Sequence, residues 1–377
     1  MRLYAFVWIS AGLLAAQAPQ PARGEVDNAA AFARLYGVVR YFYPSDAAAA
    51  LDWNRFAAHG VATVRAARAT PELEASLEEL FTPLGPGITI DASLPTPPAA
   101  GATDASLVAW RYRGPGISTA AKPGPYIGVR TNRLVPPALI VDPPVVNAHV
   151  DVELTRGLKA RVALTLTDAE ARAASASLLA LRAAMNAVPL TPRSSDTDVR
   201  LADVVVAWNV FRHFYPYWTE ADVDWDARLL PHLQRAYNAM ATREAHRTVL
   251  RALIADVRDG HALVVDPGRP RPGILPLQFA VVENRVVVSA GGDDQVAVGD
   301  VVVAIDGVPA TTRLDTEMEL FSGTTQWKRN RALRELATCP GATSRTLRLE
   351  APSGARDVTL ACKASQLPPE NRREWEP

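Results

Sequence analysis

The chain has 377 residues, enough for two or three domains with cores of their own. A hydrophobic content of 48%, a charged content of 21% and a formal net charge of +0 exclude an intrinsically disordered chain. No block of Lys and Arg stands out, so we expect no nucleic-acid partner.

The first residues predict a secretory signal peptide over residues 1–24. Arg2 precedes an apolar run over residues 3–16, and Ala16-Gln17-Ala18 supplies the small residues of a signal-peptidase site. The run is too short to cross a bilayer as a helix. Because a cleaved signal peptide is predicted, we expect a periplasmic or secreted protein without membrane contact after signal removal. The alternative is an N-terminal anchor that is never cleaved.

Two stretches of the chain repeat each other without a gap. YGVVRYFYPSDAAAALDW (36–53) matches WNVFRHFYPYWTEADVDW (208–225) at a constant offset of 172. In each copy a helix approaches Phe-Tyr-Pro, where the proline disfavours helical continuation, and Asp-Trp then opens the next helix. The repeat predicts two equivalent helical hairpins that are pinned by Trp53 and Trp225. A ligand-binding motif is the alternative.

The periodicity of apolar residues divides the rest of the chain into segments. Residues 25–87 are predicted to be helical, 88–166 to form a β-rich, sandwich-like domain, and 167–198 to contain a helix and a linker. Residues 199–266 are predicted to be helical again. Residues 267–365 alternate strands with one short helix, and 366–377 form a polar tail. The predicted fold class is α+β multidomain.

The order of elements in 267–365 is typical of a PDZ-like domain. Gly299-Asp300 precedes a buried strand, and Ile305-Asp306-Gly307 ends it. A helical segment that ends in Asp259-Gly260-His261 and is followed by such a module resembles the C-terminal processing (tail-specific) serine peptidases, in particular their tricorn-core-like branch. The resemblance covers about residues 199–362. It implies a serine-type peptidase that acts in proteolysis and uses His261 as its general base.

The resemblance leaves the serine nucleophile unassigned. In the tricorn-like branch the serine and its supporting glutamate lie beyond the PDZ module, in an α/β domain. Here only the polar residues 363–377 follow Cys362, Gly-x-Ser-x-Gly is absent, and Ser322 and Ser353 have the context of loop residues. We therefore expect a truncated family member, inactive as an isolated chain, whose partner is a separately encoded catalytic domain.

Two alternatives to that interpretation stay open. The whole chain can be a non-catalytic periplasmic module that binds peptides through its PDZ-like domain. His261 can be a turn histidine that caps the C-terminal end of the preceding helix, where positive charge is favoured.

A polypeptide substrate or a peptide terminus is the expected ligand of the PDZ-like domain. A β-branched run suits a free strand edge, and two glycines after it leave room for a carboxylate. These predicted binding residues are Val286, Val287, Val288, Gly291 and Gly292. The acidic pair Asp293 and Asp294 predicts weak binding, or a preference for internal or basic peptides.

No cofactor or metal site is expected, because Cys-x-x-Cys and His-Glu-x-x-His are both absent. Cys339 and Cys362 either form a disulfide or remain two small apolar side chains. The remaining histidines are predicted to be ordinary surface or interface residues: His59, His149, His213, His232 and His246.

Overall fold

The computed structural model describes residues 24–102, 104, 106–113, 127–131, 144–173, 175–189, 196–266, 272–291, 294–341, 343–351 and 354–364. The helices are α1 Glu25–Phe42, α2 Asp46–Ala49, α3 Trp53–Arg65, α4 Thr70–Phe81, α5 Asp168–Arg172, α6 Leu178–Ala187, α7 Thr197–Phe214, α8 Trp218–Ala221, α9 Leu229–Asn238, α10 Arg243–Ala255, α11 Ala310–Met318 and α12 Thr325–Leu336. Within the described residues, every helix is too short or too polar to span a bilayer.

The strands are β1 Ile88–Asp91, β2 Val108–Arg113, β3 Ile127–Arg130, β4 His149–Thr155, β5 Leu158–Ala163, β6 Thr165–Leu166, β7 Gly273–Ile274, β8 Leu277–Val282, β9 Arg285–Gly291, β10 Val301–Ile305, β11 Val308–Pro309, β12 Thr338–Cys339, β13 Ser344–Ala351 and β14 Gly354–Ala361. Their sheets have the orders β1-β5-β4, β3-β2-β6, β12-β7 and β14-β13-β10-β9-β8, with β11 paired to β10. This mixture of helices and sheets confirms the α+β class.

The helical part of the chain is built twice. α7 begins and ends 172 residues after α1, and α8 begins and ends 172 residues after α2. This spacing equals the offset of the sequence repeat. The correspondence continues beyond that repeat, because α3 matches the stretch that contains α9, and α4 matches α10 to within two residues. The duplicated unit is therefore a set of four helices, longer than the 18-residue match.

The two copies meet around an approximate two-fold axis. Gly37 of α1 faces Asn209 of α7, its own counterpart at the offset of 172. Tyr41 likewise faces its counterpart His213, with ring centroids 5.8 Å apart. Because equivalent residues contact each other, the interface has the isologous character of a two-fold dimer within one chain.

The aromatic residues of the repeat join each first helix to the start of the third. Tyr36 donates its hydroxyl hydrogen to the carbonyl of Trp53 at 3.1 Å. In the second copy, Trp208 and Trp225 each donate their indole N–H to the other's carbonyl at 3.0 Å. These bonds lie within the hydrophobic core, which favours the interpretation of the repeat as a packing device.

Two hydrophobic cores organise the described residues. The first includes apolar side chains of α1, α3, α4, α7, α9 and α10 together with those of β1, β4 and β5. The β-rich segment thus packs on the helices rather than enclosing a core by itself. The second core lies within residues 275–360 and contains Leu277, Phe279, Val302 and Leu336. The segment boundaries given above remain predictions.

The second core is enclosed by the large sheet and by α11 and α12. β8 and β9 form a hairpin, with Glu283 and Asn284 at φ of 50° and 61°, as a two-residue type I′ turn requires. Cys339 and Cys362 form a disulfide, which ties β12 to the residue that follows β14. Of the two alternatives that the sequence left open for these cysteines, the disulfide is therefore the one that forms.

The prediction that Val286, Val287 and Val288 offer a free strand edge is wrong. They lie on β9, which pairs with β8 on one side and with β10 on the other. Sequence periodicity identified the strand correctly but could not show which strand lies at the sheet edge.

Candidate functional site: a groove beside β8 and the His261 turn

With β14 at the opposite edge, one free edge of the large sheet is β8. Within the described residues it pairs only with β9, and the pairing starts at the two-residue turn with Val282 opposite Arg285. Hydrogen-bonded and non-hydrogen-bonded pairs alternate from such a turn. Val288 bonds through both its N–H and its carbonyl on the β10 side, which agrees with this alternation. The N–H groups of Phe279 and Val281 therefore point to the free edge.

A groove of about 580 Å³ separates β8 from α12. Leu277, Phe279 and Leu333 supply apolar side chains to its lining. Asn330, Leu333 and Arg334 line it from α12, and their spacing of three and four residues places them on one helical face; Ala337, the C-cap residue, continues the lining. α12 begins at the side-chain cap of Thr324, which accepts the N–H of Trp327. The groove thus combines an unpaired backbone edge with apolar walls.

The predicted glycines lie at the end of β9, next to the start of β8. Gly291 has a φ of 74°, and a Cβ there would overlap the carbonyl of Pro276. The close approach of the Pro276 backbone therefore explains why glycine occupies position 291. The binding of a ligand carboxylate at Gly291 stays a prediction. Gly292 and Asp293 lie outside the described residues.

His261 follows α10 in a turn that is organised by Asp259. One carboxylate oxygen of Asp259 accepts the backbone N–H of His261 at 2.9 Å and lies 3.0 Å from its Nδ1. Because an ionised carboxylate can only accept, a neutral imidazole in this contact would carry its hydrogen on Nδ1 and leave Nε2 as the acceptor. This is the relation between base and orienting carboxylate in a catalytic triad. The His261 side chain is fully exposed.

Ser322 supports this turn, a role that its loop-like context in the sequence did not indicate. Ser322 is buried, and its Oγ accepts the backbone N–H of Asp259 at 2.8 Å. Gly323 allows the close approach, because a Cβ there would come within 3.0 Å of the Gly260 Cα. Ser322 is a structural partner of Asp259, and within the described residues no hydroxyl bonds to the His261 imidazole.

Residues 260–266 run back along α10 without a strand partner among the described residues. Asp266 forms an ion pair with Arg243, the first residue of α10. At the offset of 172, residues 260–263 correspond to β1, which pairs with β5. Leu263 and Val265 of this segment are 55% and 71% exposed. A cavity of about 310 Å³ separates the segment from α12, and Trp327 and Arg331 line it.

Two of the histidines predicted to be ordinary surface or interface residues are buried in contact with carboxylates. His232 and His246 are buried, and their Nε2 atoms lie 2.8 Å from carboxylate oxygens of Asp256 and Asp203. Their helical periodicity did not reveal these pairs, because both aspartates are distant in sequence. Among the described residues, no group of three His, Cys, Asp or Glu side chains could hold a metal ion.

Comparison with known proteins gives limited similarity. No family model and no curated protein matches the chain. Three solved structures of CPAF resemble part of it. A CPAF mutant gives a TM-score of 0.37 at 19% identity, covering 44% of this chain and 34% of CPAF. Mature CPAF in complex with lactacystin gives a TM-score of 0.36 at 19% sequence identity, and mature CPAF gives a TM-score of 0.32 at 17% sequence identity. The chain thus spans about a third of the CPAF chains.

Proposed function

We propose that this chain is an exported, proteolysis-related protein of the tail-specific serine peptidase type, and that its PDZ-like unit, residues 272–364, binds an extended segment of polypeptide. The observation that carries the proposal is the free edge of β8, which faces α12 across a groove with apolar walls. An extended segment that enters this groove gains main-chain hydrogen bonds from β8 and buries alternate side chains against Leu277, Phe279 and Leu333.

A single substitution tests strand addition. Val281→Pro removes an N–H that points to the free edge, and proline is tolerated on edge strands. Val281→Ala keeps that N–H and serves as the matched control. With a fluorescein-labelled peptide of alternating Thr and Val, we expect Val281→Pro to weaken binding about ten-fold relative to Val281→Ala. Equal affinities of the two variants, with unchanged circular dichroism, would refute strand addition.

The second part of the proposal concerns His261. The Asp259–His261 pair has the orientation of a general base, and its Nε2 is open to a nucleophile from elsewhere. The unpaired segment 260–266 and its exposed Leu263 and Val265 offer a surface beside the histidine where another folded unit can dock. We propose that this unit is an α/β catalytic domain that carries the serine and is encoded separately or elsewhere in a longer protein.

A non-catalytic peptide-binding module is the second candidate function. The full exposure of His261 favours it, because acyl transfer needs an oxyanion hole and a site that excludes water. A fluorophosphonate probe separates the two candidates. We expect no labelling of this chain alone. Serine labelling that appears with a co-expressed α/β domain, and that is lost in His261→Ala, supports the peptidase; no labelling under either condition supports the binding module.

A further inference from the structure

The segment that follows His261 is an unpaired copy of a strand that the first half of the chain pairs. We propose, on the basis of the separate catalytic unit proposed above, that this unit adds a β-strand to residues 263–265, as β5 adds to β1, and covers Leu263 and Val265 with an apolar face. The duplication of the helical unit carries this inference, because it supplies a completed copy for comparison.

Residues 260–263 repeat the exposure pattern of β1 at the offset of 172. In β1 the first and third residues are buried, and the second and fourth are exposed. The counterparts alternate in the same phase, with the first and third half-buried and the second and fourth exposed: Gly260, Ala262, His261 and Leu263. Ala262 packs against the first core, which contains its counterpart Ile90. Because side chains alternate between two faces along an extended chain, the segment presents the same faces as β1.

The two copies differ in what pairs with this segment. β5 lies antiparallel to β1, and Ala163 donates its N–H to the carbonyl of Gly87 at 2.8 Å. In the second copy, the N–H and carbonyl groups of residues 263–265 make no hydrogen bond within the part of the chain that the structure describes. Consecutive unpaired backbone groups of this kind are the template that an edge strand offers to another chain.

The same comparison predicts which backbone groups face the partner. Bonded and non-bonded pairs alternate along an antiparallel ladder, so the bond at Gly87 directs the N–H of Asp91 toward β5 as well. Leu263 is the counterpart of Asp91, and Val265 lies two residues further on. The N–H groups of Leu263 and Val265 therefore face the open edge, and that of Val264 does not.

The exposed face also differs between the copies. In the first copy its positions carry Asp91 and Ser93, which are polar and exposed. Their counterparts are the exposed apolar residues Leu263 and Val265. Adjacent apolar side chains beside an unpaired backbone indicate a face that another unit covers, whereas the polar residues suit a face that stays in water. Because His261 is exposed in phase with these two residues, the covering unit also reaches the imidazole.

The chain itself offers no strand for this edge among its described residues. In the first copy, β5 belongs to the β-rich segment that follows β1. After residue 266 the chain instead forms the unit of residues 272–364, whose sheets do not include residues 263–265. The sequence 366–377 is polar and contains prolines, which disfavour a paired strand. A strand from a separate unit is therefore the occupant that fits.

Two substitutions give the second copy the exposed residues of the first. The double variant Leu263→Asp with Val265→Ser makes this change, and Leu179→Asp places the same charge at another exposed leucine as the control. Calorimetric titration of the full chain uses the α/β domain of the fluorophosphonate test as the probe. We expect the double variant to weaken binding about ten-fold or more, because it removes apolar contact, and Leu179→Asp to leave binding unchanged.

Hydrogen exchange tests the strand pairing apart from the apolar contact. Bound α/β domain should slow the exchange of the Leu263 and Val265 amides and leave the Val264 amide nearly unchanged. Sedimentation of the chain alone, with and without the double substitution, reports whether a second copy occupies the edge instead.

The outcomes separate this inference from the function on which it rests. Equal affinities of the wild type and the double variant, or binding without added protection at Leu263 and Val265, would overturn strand addition here and leave the catalytic partner in place. No binding by the wild type would overturn the separate catalytic unit itself. A dimer of the chain alone that the double variant abolishes would assign the edge to a second copy. Unchanged circular dichroism of the variants shows that folded proteins are compared.

Discussion

His213 lies where the two helical copies meet, and its surroundings disfavour the charged imidazolium. Burial, and to a smaller extent the positive charge of Arg212, lowers the pKa of His213 from 6.5 to about 4, while Asp226 opposes the shift. The Nε2 atom of His213 is buried without a hydrogen-bond partner among the described residues. The folded protein therefore holds this histidine in its neutral form.

This shift predicts a loss of stability in acid. Above pH 6.5 the side chain is neutral in both states, so its contribution is fully present. Between pH 6.5 and about 4 the unfolded chain binds the proton and the folded chain does not, so about 3 kcal/mol is lost as the pH falls. Urea unfolding of the wild type and of His213→Gln should converge in stability across this window. Parallel pH profiles of the two proteins would contradict the assignment.

Gly37 is the counterpart of Asn209 at the approximate two-fold axis, and its lack of a side chain makes the close approach of α1 and α7 feasible. A Cβ at this position would overlap Asn209 Oδ1 and lie 2.7 Å from His213 Nε2. Alanine normally stabilises a helix interior relative to glycine by about 1 kcal/mol. Here we expect Gly37→Ala to destabilise the protein by about 1–3 kcal/mol instead, because overpacking outweighs propensity.

The urea midpoint of Gly37→Ala tests whether overpacking outweighs helix propensity, and we expect this midpoint to fall. Gly24→Ala, at the N-cap that precedes α1, controls for the substitution without overpacking, since its Cβ would meet only one atom, at an ordinary 4.0 Å. A midpoint that rises in Gly37→Ala would show that the helices adjust and that the close contact is not a constraint.

At the scale of elements, the disulfide closes the unit that contains the groove. It joins Cys339 of β12 to Cys362 across 23 residues, so it restricts the unfolded chain over that loop. Loops of this length correspond to about 3 kcal/mol of stabilisation. We expect reductant to lower the denaturant midpoint of the transition that reports on residues 272–364.

A double variant, Cys339→Ala with Cys362→Ala, provides the control for the effect of reductant. It should unfold at the reduced wild-type midpoint, and reductant should not change it further. If reductant leaves the wild-type midpoint unchanged, the disulfide contributes nothing to the stability of the unit.

The sequence predicted the type of most elements but not their pairing. The Phe-Tyr-Pro repeat could be read directly, because proline and the aromatic side chains constrain both copies in the same way. The equivalence of α4 and α10 could not, since only apolar spacing is shared. β9 was identified as a strand from its valines, whereas its interior position depends on β10, which periodicity cannot reveal.

For the molecule as a whole, α12 is the element that links the two candidate sites. Leu333 and Arg334 face the groove beside β8, while Trp327 and Arg331 line the cavity beside the His261 turn. The sequence predicted a helix here and placed His261 in a turn. It could not predict the groove, because residues of β8 and α12 lie about fifty positions apart and meet only through the fold. The contact between Asp259 and His261 could have been predicted from the sequence, since only Gly260 separates these two residues.

Residue-resolved hydrogen exchange of the amides of β8, with and without the peptide of alternating Thr and Val, tests whether polypeptide adds to this strand. The N–H groups of Phe279 and Val281 point to the free edge, whereas those of Ala280 and Val282 are directed toward β9. Saturating peptide should slow exchange at Phe279 and Val281 and leave Ala280 and Val282 nearly unchanged. Bound peptide without added protection at Phe279 and Val281 would contradict strand addition at β8.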